Sequence, residues 1–225
     1  MGGPNAFHGS FPAVIAEAIF GQPGTMSRLL APVLAPADLS DTSDLGWPLA
    51  ELSALVTSGE VWSCAGAAAC WATPNSPELR AASVRAALPS TSLSDRVIAE
   101  RGTAAWIFGA LPQAPTRMEL AIDRHRRGRI PEAGARWRER VFASDEIVQV
   151  GPTLVTAPLR TLLDLAAVPD LVGSDLGPVL ARLAVLAGHD LHRVRHQVSA
   201  APRMPFRRRI LETLDGLSAG APAAA

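Results

Sequence analysis

The sequence has 225 residues, and its 21 basic and 21 acidic side chains give a formal net charge of zero. All 21 basic residues are arginine, so chemistry that depends on lysine is excluded, such as a P-loop, a Schiff base or the lysine of a nuclease motif. No apolar stretch of about eighteen residues occurs, and no basic segment precedes the apolar run Phe11–Phe20, so we predict neither a membrane span nor a secretory signal and expect a cytoplasmic protein.

Neither the cysteines nor the histidines form a recognisable metal motif. Five residues separate Cys64 from Cys70, which is not the Cys-x-x-Cys spacing of zinc sites. A second candidate is the trio His189, His192 and His196. Their spacings of three and four would place them on one face of a helix, but they lie among arginines and have too few acidic neighbours for a ligand set. We therefore predict no metal and no cofactor.

The neutral total hides an uneven distribution of charge. From Met26 to Glu100 there are four arginines and eight acidic residues, a net charge of −4. From Arg117 to Arg140, eight arginines and four acids give +4, and from Arg193 to Arg209 six arginines without any acid give +6. The first half of the chain is therefore acidic, and the two later segments are basic patches that suit a phosphate-bearing or acidic partner.

The N-terminal part of the chain predicts a winged helix-turn-helix. Residues 1–24 form an extension rich in Gly and Pro, and Arg28–Leu34 is a short helix candidate. Pro48–Val56 has leucines at helical spacing, a proline suited to the first helical position, and Gly59 as a C-terminal cap. Two strand candidates then surround a loop of small residues: Glu60–Trp62 and Cys70–Ala72. Two helices followed by a β-hairpin is the element order of a winged helix.

The remaining chain predicts a sheet with helices. Met118, Leu120 and Ile122 alternate with polar or small residues, which is the pattern of a half-buried strand. The other predicted strands are Ser94–Glu100 (strand or helix), Trp137–Phe142, and Ile147–Val150 with Leu154–Thr156 around a turn at Gly151-Pro152. The predicted helices are Pro77–Leu88, Thr103–Ala110, Pro158–Ala167, Leu176–Ala187 and Phe206–Leu214. Residues 218–225 are a low-complexity tail that we expect to be disordered.

Two segments resemble a known family. Arg101–Pro112 reads RGTAAWIFGALP, and Thr156–Ala166 reads TAPLRTLLDLA. Together with the hairpin Ile147–Val155 they resemble AbiEi-family antitoxins of high-GC bacteria, over a stretch from about Met26 to Ala167. The resemblance implies an N-terminal winged helix that binds the operator of its own operon, and a C-terminal domain that neutralises a nucleotidyltransferase-like toxin.

The N-terminal segment departs from what the resemblance implies for DNA binding. Pro48–Val56 contains Glu51 and no arginine, and Glu60–Trp71 contains no arginine either. Neutralised phosphates supply much of the affinity for DNA, so this segment needs help from arginines elsewhere, or DNA binding has been lost. The candidate DNA- or partner-binding residues are Arg28, Arg80 and Arg85; Arg124, Arg126, Arg127 and Arg129; and Arg207, Arg208 and Arg209.

Two other candidate sites have structural explanations that we favour. The small residues from Gly102 to Trp106 indicate close helix packing rather than a ligand groove. Arg160 and Asp164 lie four residues apart on one predicted helix. They indicate a surface ion pair of about 0.5 kcal/mol rather than a catalytic pair.

No catalytic residue is predicted. Glu119 and Asp123 share the polar face of one predicted strand, but the lysine that a nuclease motif would place beside them is missing. Gly173-Ser174-Asp175 lacks the second acid of a nucleotidyltransferase motif. We therefore expect a protein that is not an enzyme, and an unrecognised nuclease is the enzymatic alternative.

The sequence thus predicts an α+β protein. A winged helix-turn-helix domain at residues 25–88 precedes an antitoxin domain at residues 89–217, which is a mixed α/β domain with C-terminal helices. The predicted function is an antitoxin that neutralises a nucleotidyltransferase-like toxin and represses its own operon by DNA binding. If the chain binds operator DNA, a homodimer on an inverted repeat is the expected geometry. The alternatives are a protein-binding antitoxin that has lost DNA binding, and a DNA-binding transcriptional regulator without a toxin.

Overall fold

The structure is a computed structural model that describes residues 40–41, 49–58, 61–64, 67–70, 75–88, 96–124, 135–169, 176–201 and 203–220. Several predicted features lie outside these residues: the extension at 1–24, the helix Arg28–Leu34, the arginines Arg126, Arg127 and Arg129, the segment Gly173–Asp175, and residues 221–225 of the tail. Within the described ranges, every helix is too short or too polar to cross a membrane.

The described N-terminal elements are one helix and a three-stranded antiparallel sheet. They are β1 (Ser40–Asp41), α1 (Leu49–Ser58), β2 (Val61–Cys64) and β3 (Ala67–Cys70). The strand order is β1-β3-β2, and Cys64 lies opposite Ala67. The prediction of a strand at Cys70–Ala72 is therefore wrong in its bounds. Only two residues separate β2 from β3, so β2 pairs with the small residues that precede Cys70 rather than with those that follow it.

A five-stranded mixed sheet forms the centre of the C-terminal part. Its strands are β4 (Val97–Ala99), β5 (Met118–Asp123), β6 (Ala135–Arg140), β7 (Ile147–Val150) and β8 (Thr153–Thr156). The strand order is β6-β5-β4-β8-β7. The pairs β4–β5 and β7–β8 are antiparallel, whereas β4–β8 and β5–β6 are parallel. The carboxyl end of β4 therefore lies beside the start of β5 and beside the end of β8.

Six described helices accompany this sheet. They are α2 (Pro77–Ala86), α3 (Arg101–Ile107), α4 (Pro158–Ala166), α5 (Leu176–Leu186), α6 (Leu191–Ala200) and α7 (Arg207–Gly220). Side-chain caps begin two of them: Ser76 accepts a hydrogen bond from Leu79 N at 3.2 Å, and Asp190 accepts one from Arg193 N at 2.6 Å. The predicted mixed α/β architecture with C-terminal helices is thus observed in this part of the chain.

Several element boundaries differ from their predictions for identifiable reasons. Helix α3 ends before Gly109, whose φ of +71° suits the left-handed position after a helix, so the predicted end at Ala110 is wrong. Strand β6 starts at Ala135 rather than Trp137 because it pairs from its first residue with Met118 of β5. Helix α7 continues to Gly220, so residues 218–220 of the predicted tail are helical.

Helix α4 lies in the middle of the hydrophobic core. All nine of its residues are buried, and it packs against α3, α5 and α7. Its leucines join the main core cluster with apolar residues of β4, β5 and β8. However, the same helix buries Arg160 and Asp164. Charges taken out of water need partners, so the core must supply ionic contacts at this point.

Candidate functional site

Seven charged residues meet at the carboxyl end of β4, and we refer to them as the buried ionic cluster. Glu100 directly follows β4, and Glu119 lies beside it in β5, since the Glu100 N–H donates to the Glu119 carbonyl oxygen at 3.0 Å. The other members come from β6, from the short 3-10 helix Ser144–Glu146 and from α4. The full set is Glu100, Glu119, Arg138, Arg140, Glu146, Arg160 and Asp164.

Arg160 is the most deeply buried cation of this cluster, with 1% of its side chain exposed. Its Nη1 donates to Glu146 Oε1 at 2.6 Å, and its Nε and Nη2 donate to the two Asp164 carboxylate oxygens at 2.9 and 3.2 Å. Its guanidinium also lies 5.6 Å from the centre of the Phe142 ring, within the range of a cation–π contact. The sequence correctly paired Arg160 with Asp164, but the expectation of a surface pair is wrong because α4 is covered on all sides.

Arg140 links this part of the cluster to the sheet. Its Nη1 donates to both oxygens of Asp164 at 3.0 Å, and its Nε lies 3.6 Å from Glu100 Oε2. Asp164 therefore accepts hydrogen bonds from two arginines on different elements. The paired contacts connect the C-terminal end of β6 with α4 and with the end of β4.

Glu119 and Arg138 form the outer end of the cluster. Arg138 Nη1 lies 3.3 Å from Glu100 Oε1, and its Nη2 lies 3.9 Å from Glu119 Oε1. Glu119 Oε2 accepts a hydrogen bond from Gly102 N at 2.9 Å, and a Cβ at Gly102 would lie only 3.0 Å from that oxygen. Glu119 is 5% exposed, so the prediction that it lies on a solvated polar face is wrong: the glycine and Arg138 cover it. Arg138, at 29% exposed, is the member that reaches solvent most.

Burial controls the protonation of three of the carboxyl groups. It is the largest influence on Glu100, Glu119 and Glu146, and it raises the pKa of each above its ordinary value although nearby arginines act in the opposite direction. Both carboxylate oxygens of Glu100 are buried without a hydrogen bond, since the arginines approach it at ion-pair distance only. These acids therefore take up protons more readily in the folded protein than in the unfolded chain.

In Asp164 and Arg160 the nearby opposite charges outweigh the effect of burial on the pKa, because the partners of these two groups are closer. Burial by itself would raise the pKa of Asp164, but Arg160 and Arg140 outweigh it and hold that pKa below its ordinary value. Burial would likewise lower the pKa of Arg160, but Asp164 and Glu146 raise it instead. Both groups are therefore ionised at neutral pH, and the centre of the cluster is a fixed ion pair rather than a proton carrier.

The arrangement of the buried ionic cluster suits a structural role better than a catalytic one. Each carboxylate of the cluster lies within ion-pair distance of an arginine, and none of them is left open for a substrate. Among the described residues, no group of three or more His, Cys, Asp and Glu could hold a metal ion. The residues from Gly102 to Trp106 are fully buried in α3, which supports their predicted role in close packing.

Two of the predicted binding arginines make extensive contacts inside the protein. Arg80 Nη1 donates to the Trp106 carbonyl oxygen at 2.5 Å, and its guanidinium lies 5.6 Å from the centre of the Trp106 ring. Arg207 Nε and Nη2 donate to the carbonyl oxygens of Val198 and Ser199 at 3.1 and 2.6 Å. Arg80 thus attaches α2 to α3, and Arg207 attaches α7 to the end of α6.

The other predicted arginines differ in exposure. Arg85 is partly buried on α2, whereas Arg124 is exposed at the end of β5. Arg208 and Arg209 are exposed in the first turn of α7, where Arg208 lies 3.3 Å from Glu212. Arg28, Arg126, Arg127 and Arg129 lie outside the described residues.

Sequence reasoning did not single out Glu100, Arg138, Arg140 or Glu146. The available signal was weak: Arg138 and Arg140 alternate in a predicted strand, which places them on one face, and the strand before them carries Glu119 on an alternating position. Nothing in that pattern shows that α4 covers the same face. The members of the cluster come from segments up to 64 residues apart, as from Glu100 to Asp164, so only the tertiary structure brings them together.

Comparison with known proteins gives one family match. A family model described as the AbiEi antitoxin C-terminal domain matches residues 97–213. This range begins with β4, ends within α7 and contains the whole buried ionic cluster. No curated protein matches the sequence. Among solved structures, the chain is similar to the crystal structure of the RV2827C protein from Mycobacterium tuberculosis, with 16% identity over 94% of this chain and 83% of that chain. The TM-score is 0.38, so this likeness carries no argument about fold or function.

Proposed function

This chain belongs to the AbiEi antitoxin C-terminal domain family, and from that membership we propose that it is an antitoxin that neutralises a nucleotidyltransferase-like toxin. The observation that carries the proposal is the match of residues 97–213, which spans the five-stranded sheet and reaches into the last helix. The match confirms the resemblance seen at Arg101–Pro112 and Thr156–Ala166, and it supports an antitoxin role.

The basic surface of α6 and α7 is our candidate for contact with the toxin. Between Leu191 and Leu211 the chain has six arginines and no acidic residue, and Arg193, Arg203, Arg208 and Arg209 are exposed. Guanidinium groups bind carboxylates through paired hydrogen bonds, so an acidic toxin surface would complement this segment. Complementary charge also speeds the association of two proteins.

A growth assay tests the antitoxin role directly. The full chain is co-expressed with the product of the adjacent gene, which we expect to be a nucleotidyltransferase-like toxin, and we expect growth to recover from toxin-induced arrest. The double variant Arg208→Ala/Arg209→Ala tests the proposed surface, and Arg182→Ala, an exposed arginine on α5, is the matched control. Loss of rescue by the double variant alone supports the surface. If the wild-type chain never rescues growth, the antitoxin proposal is wrong.

A second proposed role is repression of the operon by DNA binding. The feature that favours it is the N-terminal order of strand, helix and antiparallel hairpin, β1-α1-β2-β3, which is compatible with a winged helix. The exposed Glu51 on α1 weakens the case, and it favours the alternative that the chain neutralises the toxin by protein contact alone. The regulator without a toxin is the remaining alternative.

A gel shift against the upstream promoter fragment distinguishes these roles. If the chain represses its operon, retardation should be specific and should weaken steeply with salt, because released counterions drive DNA binding. A homodimer on an inverted repeat would shift a two-half-site fragment more strongly than a one-half-site fragment. Absence of any specific shift, together with rescue of growth, would leave protein contact as the mode of action.

We also propose that the chain is not an enzyme. The basis is the pairing of every acid in the buried ionic cluster with an arginine, which leaves no described carboxylate there in a position to act as a general base. The test is incubation with DNA, RNA and nucleoside triphosphates in the presence of Mg²⁺ and Mn²⁺. Turnover that disappears in Glu119→Gln would contradict this proposal.

A further inference from the structure

One buried arginine has no partner for its charge among the described residues. Arg101 is 8% exposed, and its Nε atom is buried and makes no hydrogen bond. No ion pair, hydrogen bond or ring contact of its side chain is found within the described part of the chain. Because a buried donor without a hydrogen-bond partner opposes folding, an arginine in this position is unusual.

The neighbouring acids do not serve Arg101, because other groups already engage them. Glu100 lies 3.3 Å from Arg138 and 3.6 Å from Arg140. Glu119 accepts the hydrogen bond from the N–H of Gly102 at 2.9 Å. Within the described residues, the four carboxyl groups of the buried ionic cluster pair with its three arginines, and none of them makes an ion pair or hydrogen bond with the side chain of Arg101.

The backbone at Arg101 adds a second, independent cost. Its φ is +50°, in the left-handed region that side chains with a Cβ rarely adopt. Such outliers persist where the surrounding structure holds them, and they concentrate at binding sites. Asparagine tolerates this conformation far better than arginine does, so stability alone does not explain an arginine here.

From these observations we propose that Arg101 binds a small anionic ligand through a phosphate or carboxylate group. The forked donors of a guanidinium match two oxygens of either group, and a ligand would supply the hydrogen-bond partner that the Nε of Arg101 lacks. The site lies at the carboxyl end of β4, between the parallel neighbour β8 and the antiparallel neighbour β5. This proposal does not depend on the antitoxin role.

The test is thermal unfolding of the full chain in increasing inorganic phosphate and, separately, in increasing acetate, with ionic strength held constant by chloride. A ligand that binds the folded state raises the unfolding midpoint in proportion to the logarithm of its concentration. The variant is Arg101→Asn, which keeps a residue suited to positive φ and removes the charge. The control is Arg117→Asn, an exposed arginine just before β5.

We expect the midpoints of the wild type and Arg117→Asn to rise with at least one anion, and the dissociation constant to be at least tenfold weaker in Arg101→Asn. A response to phosphate points to a phosphate ligand, and a response to acetate alone points to a carboxylate. The proposal is overturned if the wild type responds to neither anion, or if Arg101→Asn responds as strongly as the wild type does, since the anion would then bind elsewhere on the arginine-rich surface.

A second variant keeps the test decisive if Arg101→Asn does not fold. Arg101→Lys retains the charge and approximately the length of the side chain but lacks the planar pair of N–H donors of a guanidinium. Calorimetric titration of phosphate into the folded wild type and into this variant should show at least tenfold weaker binding by the lysine. Equal affinity of the two proteins would overturn the proposal.

Discussion

Replacing Arg160 by methionine should test whether the buried ionic cluster stabilises the domain. The arginine makes three charge-assisted hydrogen bonds to Glu146 and Asp164, at 2.6, 2.9 and 3.2 Å, and it is 1% exposed. Methionine fills much of the same volume, so the main effect is loss of the charge rather than formation of a cavity. Glu146 is then left fully buried without its cation, whereas Asp164 keeps the paired contact with Arg140.

The expected loss is about 3–5 kcal/mol of the free energy of unfolding, which is the usual cost of removing one partner of a buried ion pair. For a chain of this length the unfolding midpoint would fall by roughly 6–20 °C. Since Arg160 is the largest influence that lowers the pKa of Glu146, its removal should raise that pKa further. A carboxyl group whose pKa is raised in the folded state stabilises that state fully at pH values below the unfolded pKa of 4.5, and this stabilisation is lost as pH rises through the folded pKa. The loss of stability in Arg160→Met should therefore be greater at pH 8 than at pH 5.

Urea unfolding followed by circular dichroism at both pH values measures these effects. The double variant Arg160→Met/Glu146→Gln removes the stranded charge and should recover part of the loss. Arg208→Met is the control, because Arg208 is 93% exposed and its contact with Glu212 should contribute nothing measurable. A loss below about 1 kcal/mol for Arg160→Met, or a loss that does not change with pH, would refute the reasoning.

The other predictions concern Gly102, Gly216 and Glu100. Gly102→Ala places a Cβ 3.0 Å from Glu119 Oε2 and should lower the free energy of unfolding in urea by about 1–3 kcal/mol. Gly216→Ala meets no atom within 4 Å and should raise the free energy of unfolding by about 0.5–1 kcal/mol. Equal effects of the two substitutions would contradict the packing argument. Burial raises the pKa of Glu100, so its contribution to stability is complete below pH 4.5 and is lost as pH rises through the raised value. As pH rises from 5 to 8, the urea midpoint of the wild type should therefore fall relative to the midpoint of Glu100→Gln. A difference between the two midpoints that does not change with pH would argue against a raised pKa.

Local sequence patterns were sufficient to predict most elements of the C-terminal part. The alternation at Met118–Asp123 predicted β5 with its observed bounds, and the proline before a leucine-rich face predicted α4 at Pro158. Short-range physics explains this success, because backbone conformation and side-chain periodicity are properties of neighbouring residues. The same patterns placed the boundaries of α3 and β6 less well, since a glycine with positive φ and the pairing with β5 determine them.

The candidate sites were harder to predict, because depth and partners are not local properties. The spacing of Arg160 and Asp164 predicted their contact but indicated an exposed pair, whereas α5 and α7 cover the helix that carries them. Glu119 was expected on a solvated face and is buried under Gly102 and Arg138.

By itself, the sequence determined the family resemblance, the absence of lysine chemistry and the order of most helices and strands in the C-terminal part. Only the tertiary structure decided which charges meet, that Arg80 and Arg207 serve internal contacts, and that Arg101 is buried on a left-handed backbone without a described partner. The physical reason is that electrostatic energy depends on distance and on exclusion of water. The distances between charges and their exclusion from water are set when segments far apart in the chain pack together, so the spacing of residues along the sequence does not predict them.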